Sequence, residues 1–210
     1  MIKRFFPLAI LTIIGCSSFT SKPIAYVEKP MVKKGILQQT SIPNLSVDEL
    51  ERLKKQIEEK WTVRIGDSHM VWETFEVQKA KLDHEAKLKM YTQEEYKIHL
   101  MAILEDCNNF FSFYGLLANV NPLTATLLET PPLDNIFLIN DSGTKLYPIK
   151  VKCIPMPPII DETFIYYLAA IFIKFPRTDK IIDESTKFIR LVVVTNNDNE
   201  RYVFEWNFTK

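Results

Sequence analysis

Tyr202-Val203-Phe204-Glu205-Trp206-Asn207-Phe208 is the stretch on which the reading of the fold turns. Tyr202, Phe204, Trp206 and Phe208 alternate with Val203, Glu205 and Asn207, and the two-residue period of a strand puts the four rings on one face. A strand with one fully aromatic face belongs over a core. Working back from it, residues 189–195 form a second β-rich run, and Asn196-Asn197-Asp198-Asn199-Glu200 between the two has the composition of a turn. Residues 136–139 and 145–154 flank Asn140-Asp141-Ser142-Gly143 in the same manner, which makes a hairpin the natural expectation. Residues 163–175 form a further strand region, stopped by Pro176. From residue 133 to 210 the chain therefore reads as an antiparallel β-sandwich, with an immunoglobulin-like arrangement as one form of it.

The residues before it are of another kind. Ser46 and Glu49 have the spacing of a capping box, and Leu45 and Leu50 that of a hydrophobic staple, so a helix is expected to start at Ser46. Leu50, Leu53 and Ile57 give it a narrow apolar stripe, and it should stop near Trp61. Thr62, Val63 and Ile65, then Gly66-Asp67-Ser68, then residues 71–77 suggest a short hairpin, although Trp72 and Phe75 are three apart and would also suit a helix. A second helix is expected from about Asp83, either continuous or broken at Tyr91. Thr92 and Glu95 repeat the capping-box spacing there, with Tyr91 and Tyr96 as the staple. Tyr96, Leu100, Ile103, Leu104 and Cys107 carry an apolar face into Phe110, Phe111, Phe113 and Tyr114, so this helix is expected to run, buried, to Asn121-Pro122. The fold class is α+β: a mainly helical part over 45–122, then the β-sandwich over 133–210.

At the other end of the chain, Lys3 and Arg4 precede an apolar run over residues 5–14, followed by Gly15 and Cys16, which is the layout of a secretory signal. Ile13-Ile14-Gly15-Cys16 is similar to the lipobox of bacterial lipoproteins. That resemblance implies cleavage after Gly15, a signal peptide over 1–15, and acylation of Cys16 as the membrane anchor. Ser17 is not the aspartate that retains such proteins in the inner membrane, so the resemblance implies an envelope protein at the outer membrane, facing the periplasm. Ten apolar residues are too few to span the hydrocarbon core, which takes about 20. Residues 16–44, rich in Ser, Thr, Lys and Pro with no apolar period, read as a lipidated tether in which Lys29-Pro30 and Lys33-Lys34 serve solvation.

Composition narrows the partners. The chain has 26 basic and 26 acidic residues, and loss of the leader leaves 24 basic residues against 26 acidic. Such balance gives no broad attraction to nucleic acid. With Cys16 assigned to lipid, Cys107 and Cys153 are left, either as a disulfide, which an exported location permits, or as two buried thiols.

Catalytic signals are sparse. Gly66-Asp67-Ser68 resembles the nucleophile block of the SGNH, or GDSL, esterase family, but that resemblance requires a histidine near the C-terminus, and the last histidine is His99. A polar turn is the better reading. His69, His84 and His99 are far apart and there is no paired Cys-x-x-Cys, so no metal site is expected. The pairs Glu94-Glu95, Glu105-Asp106, Asp161-Glu162 and Asp183-Glu184 are adjacent in sequence and do not face each other across a cleft. No cofactor is expected. Two features suit a partner surface: Phe110, Phe111, Phe113 and Tyr114, and the rigid Pro155-Met156-Pro157-Pro158 with Met156. Function is therefore expected to be that of a lipid-anchored envelope protein acting without catalysis as an interaction or assembly module, with an envelope protein as partner. The alternative is a periplasmic ligand-binding or hydrolytic domain whose site is assembled from residues distant in sequence.

Overall fold

The computed structural model describes residues 24–25, 41–160, 165–195 and 201–209. The leader, Cys16 and the basic pairs of the tether fall outside the described residues. The chain is α+β, with helices beside mostly antiparallel sheets.

Helix α1 (Val47–Lys60) starts where its capping box lies: the Ser46 hydroxyl accepts from the Glu49 N–H, and the Glu49 carboxylate accepts in turn from the Ser46 N–H at 2.9 Å. Strands β2 (Thr62–Ile65) and β3 (Ser68–Trp72) form the expected hairpin around Gly66, whose φ of +53° suits a tight turn. The second strand is shorter than residues 71–77, because Thr74 caps helix α2 (Phe75–Leu88) by accepting from the Val77 N–H. The helical spacing of Trp72 and Phe75 prevails from Thr74 onward. Between α2 and α3 (Gln93–Asn109), Met90 takes a left-handed φ of +56°, which breaks the helix before the second capping box at Thr92 and Glu95.

The expected continuation of α3 to Asn121 is overturned. Phe110 leaves the helical region, and Phe110–Ala118 is strand β4, with Phe111, Phe113 and Leu117 turned inward. Asn121 and Pro122 also act differently from expectation: the Asn121 side chain accepts from the Thr124 N–H and Pro122 opens helix α4 (Pro122–Glu129). The run over 145–154 is divided. β5 (Ile136–Asn140) pairs with β6 (Lys145–Leu146), while β7 (Lys150–Pro155) joins the other sheet. A two-stranded ribbon follows, β8 (Ile159–Ile160) against β9 (Ile165–Tyr166), then β10 (Leu168–Pro176), β11 (Phe188–Val194) and β12 (Arg201–Thr209). Within the segment read as tether, Ile24–Ala25 forms strand β1, parallel to the end of β12, and Ile24 is buried.

One sheet has the order β1-β12-β11-β5-β6 and the other β2-β3-β4-β10-β7. The second takes β2, β3 and β4 from the part read as helical and β7 and β10 from the part read as β, so both parts share one sheet. They also share a core. Trp72 stacks on Phe113 with ring centroids 5.6 Å apart and meets Trp61 edge-on at 5.6 Å and Trp206 at 6.0 Å. Such pairs contribute about 0.5–1.5 kcal/mol each beyond the area they bury. As the alternation in 202–208 predicts, Phe204 and Trp206 are fully buried, and Tyr202 and Phe208 pack against the same core. A smaller cluster joins the helices: Leu82, Ala86, Tyr96, Leu100 and Leu104, with the Tyr96 hydroxyl donating to Asp83 at 2.6 Å.

The strands have two distinct ends. At one, the Trp206 indole N–H donates to the Trp61 carbonyl at 3.0 Å, and Trp72 touches Phe208, so α1, α2, α3 and β1 meet the strands there. At the other, the Tyr202 hydroxyl donates to the Ala118 carbonyl, and the Gly66-Asp67 turn meets the β8–β9 ribbon.

Candidate interaction surface

Strand alternation sends Phe111 and Phe113 to the core at 1% and 0% exposure, so the expected partner surface over 110–114 does not exist as a patch. Phe110 is half-buried beneath the Lys174 ammonium, 4.7 Å from its ring centre, and Tyr114 alone of the four is exposed, with Lys81 at 5.9 Å. Met156, in contrast, is exposed, and it lies in a larger apolar surface.

That surface is built from β7 outward. β7 is an edge strand, and alternate residues turn their backbone groups to its free side. The Cys153 N–H is one of these, and it donates to the Glu129 carboxylate at the end of α4. Pro155, two residues on, has no N–H to offer. The edge is thus closed to strand addition at both positions. The Met156 N–H donates to the Leu168 carbonyl at 2.8 Å, and Pro157-Pro158 then hold the chain extended into the ribbon. The Tyr166 hydroxyl donates to Asp67 at 2.7 Å and ties the ribbon to the β2–β3 turn. Ribbon and strand leave Ile154, Met156, Ile159, Ile160 and Ile165 exposed, Ile160 at 75% and Ile165 at 61%. Ile160 and Ile165 share one face of the ribbon and Ile159 lies with Tyr166 on the other; burying one such side chain stabilises a contact by about 1.5–3 kcal/mol, which makes the exposed isoleucines suited to a partner. The sequence signal was present: Ile-Ile after Pro-Pro is an apolar run too short to form its own core.

Lys150 and Lys152 stand exposed on the solvent face of β7 and make no ion pair among the described residues. On the far side of the ribbon, Asp67 is exposed and accepts from Tyr166.

The remaining candidates are otherwise engaged. Ser68 of Gly66-Asp67-Ser68 is buried and its Oγ accepts from the Ala118 N–H at 2.9 Å, so it ties β3 to β4. His69 points to the other face, and burial, then the Arg64 charge, lower its pKa. Cys107 and Cys153 are free, buried thiols on α3 and β7 with no bridge between them. Burial pushes both up to about 12, with Asp106 adding to the effect at Cys107 and Glu129 at Cys153. At neutral pH both are protonated and poor nucleophiles. An open depression of about 450 Å³ between α2 and α3 carries Glu73, Lys81, Glu85, His99 and Asp106. Its charges are already paired: Lys81 sits 2.6 Å from Glu73, and Asp106 is 2.6 Å from Lys174. Among the described residues no group of His, Cys, Asp and Glu could hold a metal ion, and no helix is long and apolar enough to cross a membrane.

No family model matches the chain, and no curated protein sequence matches it. Among solved structures it is similar to the crystal structure of a protein of unknown function from Burkholderia pseudomallei, at 11% identity and a TM-score of 0.43, over 80% of this chain and 94% of that one.

Proposed function

We propose that the protein is a lipid-anchored component of the bacterial cell envelope, held at the outer membrane through Cys16 and facing the periplasm, that acts without catalysis as an interaction or assembly module. The observation that carries this reading is the isoleucine-rich surface of β7 and the β8–β9 ribbon, which has no cover among the described residues. Exposed apolar side chains beside polar ones suit a protein interface. The pairing of the charged side chains in the α2–α3 depression leaves little free chemistry there for the ligand-binding or hydrolytic alternative. For the β part we favour a sandwich, supported by Trp72 and Phe113 of one sheet meeting Trp206 of the other. The immunoglobulin form is not adopted, because the order β2-β3-β4-β10-β7 differs from either immunoglobulin sheet.

The test is mass spectrometry of the mature N-terminus together with affinity purification of detergent-extracted full-length protein, wild type beside Cys16→Ala and Ile160→Asp. An acylated Cys16 is expected, as is a stoichiometric protein partner that the Ile160→Asp form no longer retains. A mature protein with unmodified Cys16 would overturn the anchor, and an Ile160→Asp form with unchanged associations would overturn the interface.

A further inference from the structure

Of the strands that end the two five-stranded sheets, β7 is the longest: it has six residues, against four in β2 and two each in β1 and β6. A long outer strand is the part of a sheet most open to pairing with another chain. The Met156 N–H bond to the Leu168 carbonyl fixes the phase of the β7–β10 ladder, so Lys152 and Ile154 bond inward while Val151, Cys153 and Pro155 turn their backbone groups outward. Each outward residue is shielded in its own way. Pro155 has no N–H. Val151 stands between the exposed Lys150 and Lys152, whose charges repel a second copy of the same edge. The Cys153 N–H donates to the Glu129 carboxylate, which takes the place that the carbonyl of a next strand would occupy.

Glu129 is the last residue of α4, and α4 packs against β7 with Ala125 and Leu128 buried in the main core. We propose that α4 is an edge guard and Glu129 its lock: an autoinhibitory contact that keeps β7 from pairing edge to edge with β7 of a second copy. The contact lies on the edge of the strand, whereas Ile154 of the isoleucine surface lies on its outer face, so the guard and the interface reading fail separately.

Amide hydrogen exchange and light scattering of the full-length protein in detergent test the guard, with Glu129→Ala, Glu129→Gln and Glu129→Ala/Pro155→Thr beside the wild type. Gln keeps a carbonyl acceptor and Ala does not. Glu129 and Pro155 are both exposed, so far-ultraviolet circular dichroism is expected to be the same in all four forms. The Cys153 amide should exchange roughly tenfold faster or more in Glu129→Ala, as loss of a bond to a charged acceptor implies, and stay protected in Glu129→Gln. At about 100 µM, Glu129→Ala should associate beyond the level of the wild type, and Glu129→Ala/Pro155→Thr, which regains an N–H at the edge, more strongly still. Equal exchange at Cys153 in the wild type and Glu129→Ala would overturn the contact. Faster exchange with no added association in either Ala form would overturn the guard and leave α4 a packing element only. Association of Glu129→Gln as strong as that of Glu129→Ala would assign the effect to charge and overturn the lock.

Discussion

Gly115 occupies the point where β4 passes closest to β3. A Cβ at this position would lie 2.1 Å from the His69 carbonyl oxygen and 2.9 Å from the Met70 Cα, both backbone atoms that cannot turn aside. Gly115→Ala is therefore expected to destabilise the fold by on the order of 2–4 kcal/mol in chemical denaturation. Gly143 is a useful contrast: its φ is +81° with open space around it, so Gly143→Ala should cost only about 1 kcal/mol. Comparable losses at the two positions would mean that the strands can move apart. The thiols give a second expectation at this scale. Cys107 and Cys153 are 4% and 5% exposed, and burial raises both to about 12, so native protein at pH 8 should resist a thiol reagent and react at both positions only once unfolded. Rapid labelling of either in the native state would contradict their placement.

At the scale of elements, the helix starts carry a pH dependence. Glu49 and Glu95 are held below the usual carboxylate value of 4.5, first by the backbone N–H of Ser46 and of Thr92 and then by the same residues' hydroxyls. A depressed folded pKa stabilises the fold in full above 4.5, and that contribution is lost as pH falls through the lower folded value. The melting temperature should thus decline below pH 4.5, and the decline should shrink in Ser46→Ala/Thr92→Ala, which itself should cost about 1 kcal/mol per cap at neutral pH. An unchanged acid limb in that variant would show that the caps do not contribute. These helix starts were legible because a capping box is written within four residues. β4 was not legible, for a physical reason: Phe110, Tyr114 and Leu116 on its outer face are as apolar as Phe111, Phe113 and Leu117 on its inner face, so the period-two contrast of a one-sided strand is lost, and the apolar face of α3 continues into it without a break. Strand β12 keeps that contrast, with Tyr202, Phe204, Trp206 and Phe208 all turned to the core, and was readable from its sequence. The ribbon was legible only as a rigid proline segment, since its isoleucines make a surface only when β7, β8 and β9 come together.

For the whole molecule, the decisive element is the two-residue strand β1. Ile24 lies in the main core at 4% exposure, and its partner residue in the parallel register is Phe208, which packs on the same core and touches Trp72. The reading of 16–44 as one uniform tether therefore changes: the eight steps from Cys16 to Ile24 extend at most about 29 Å, and with Cys16 acylated as proposed this distance limits how far the sheet stands from the bilayer. It also makes the segment after the anchor part of the stability of the fold. Ile24→Ala removes buried methyl groups beside Phe208, a change that costs about 2–4 kcal/mol when a core cannot close over the cavity. Urea denaturation of the full-length protein should show that loss as a lower midpoint with an unchanged slope, because the rest of the core still unfolds as one unit. An unchanged midpoint would mean that β1 does not contribute to the core, and the sheet would then begin at β12, with the full chain to Ser41 available to reach away from the membrane.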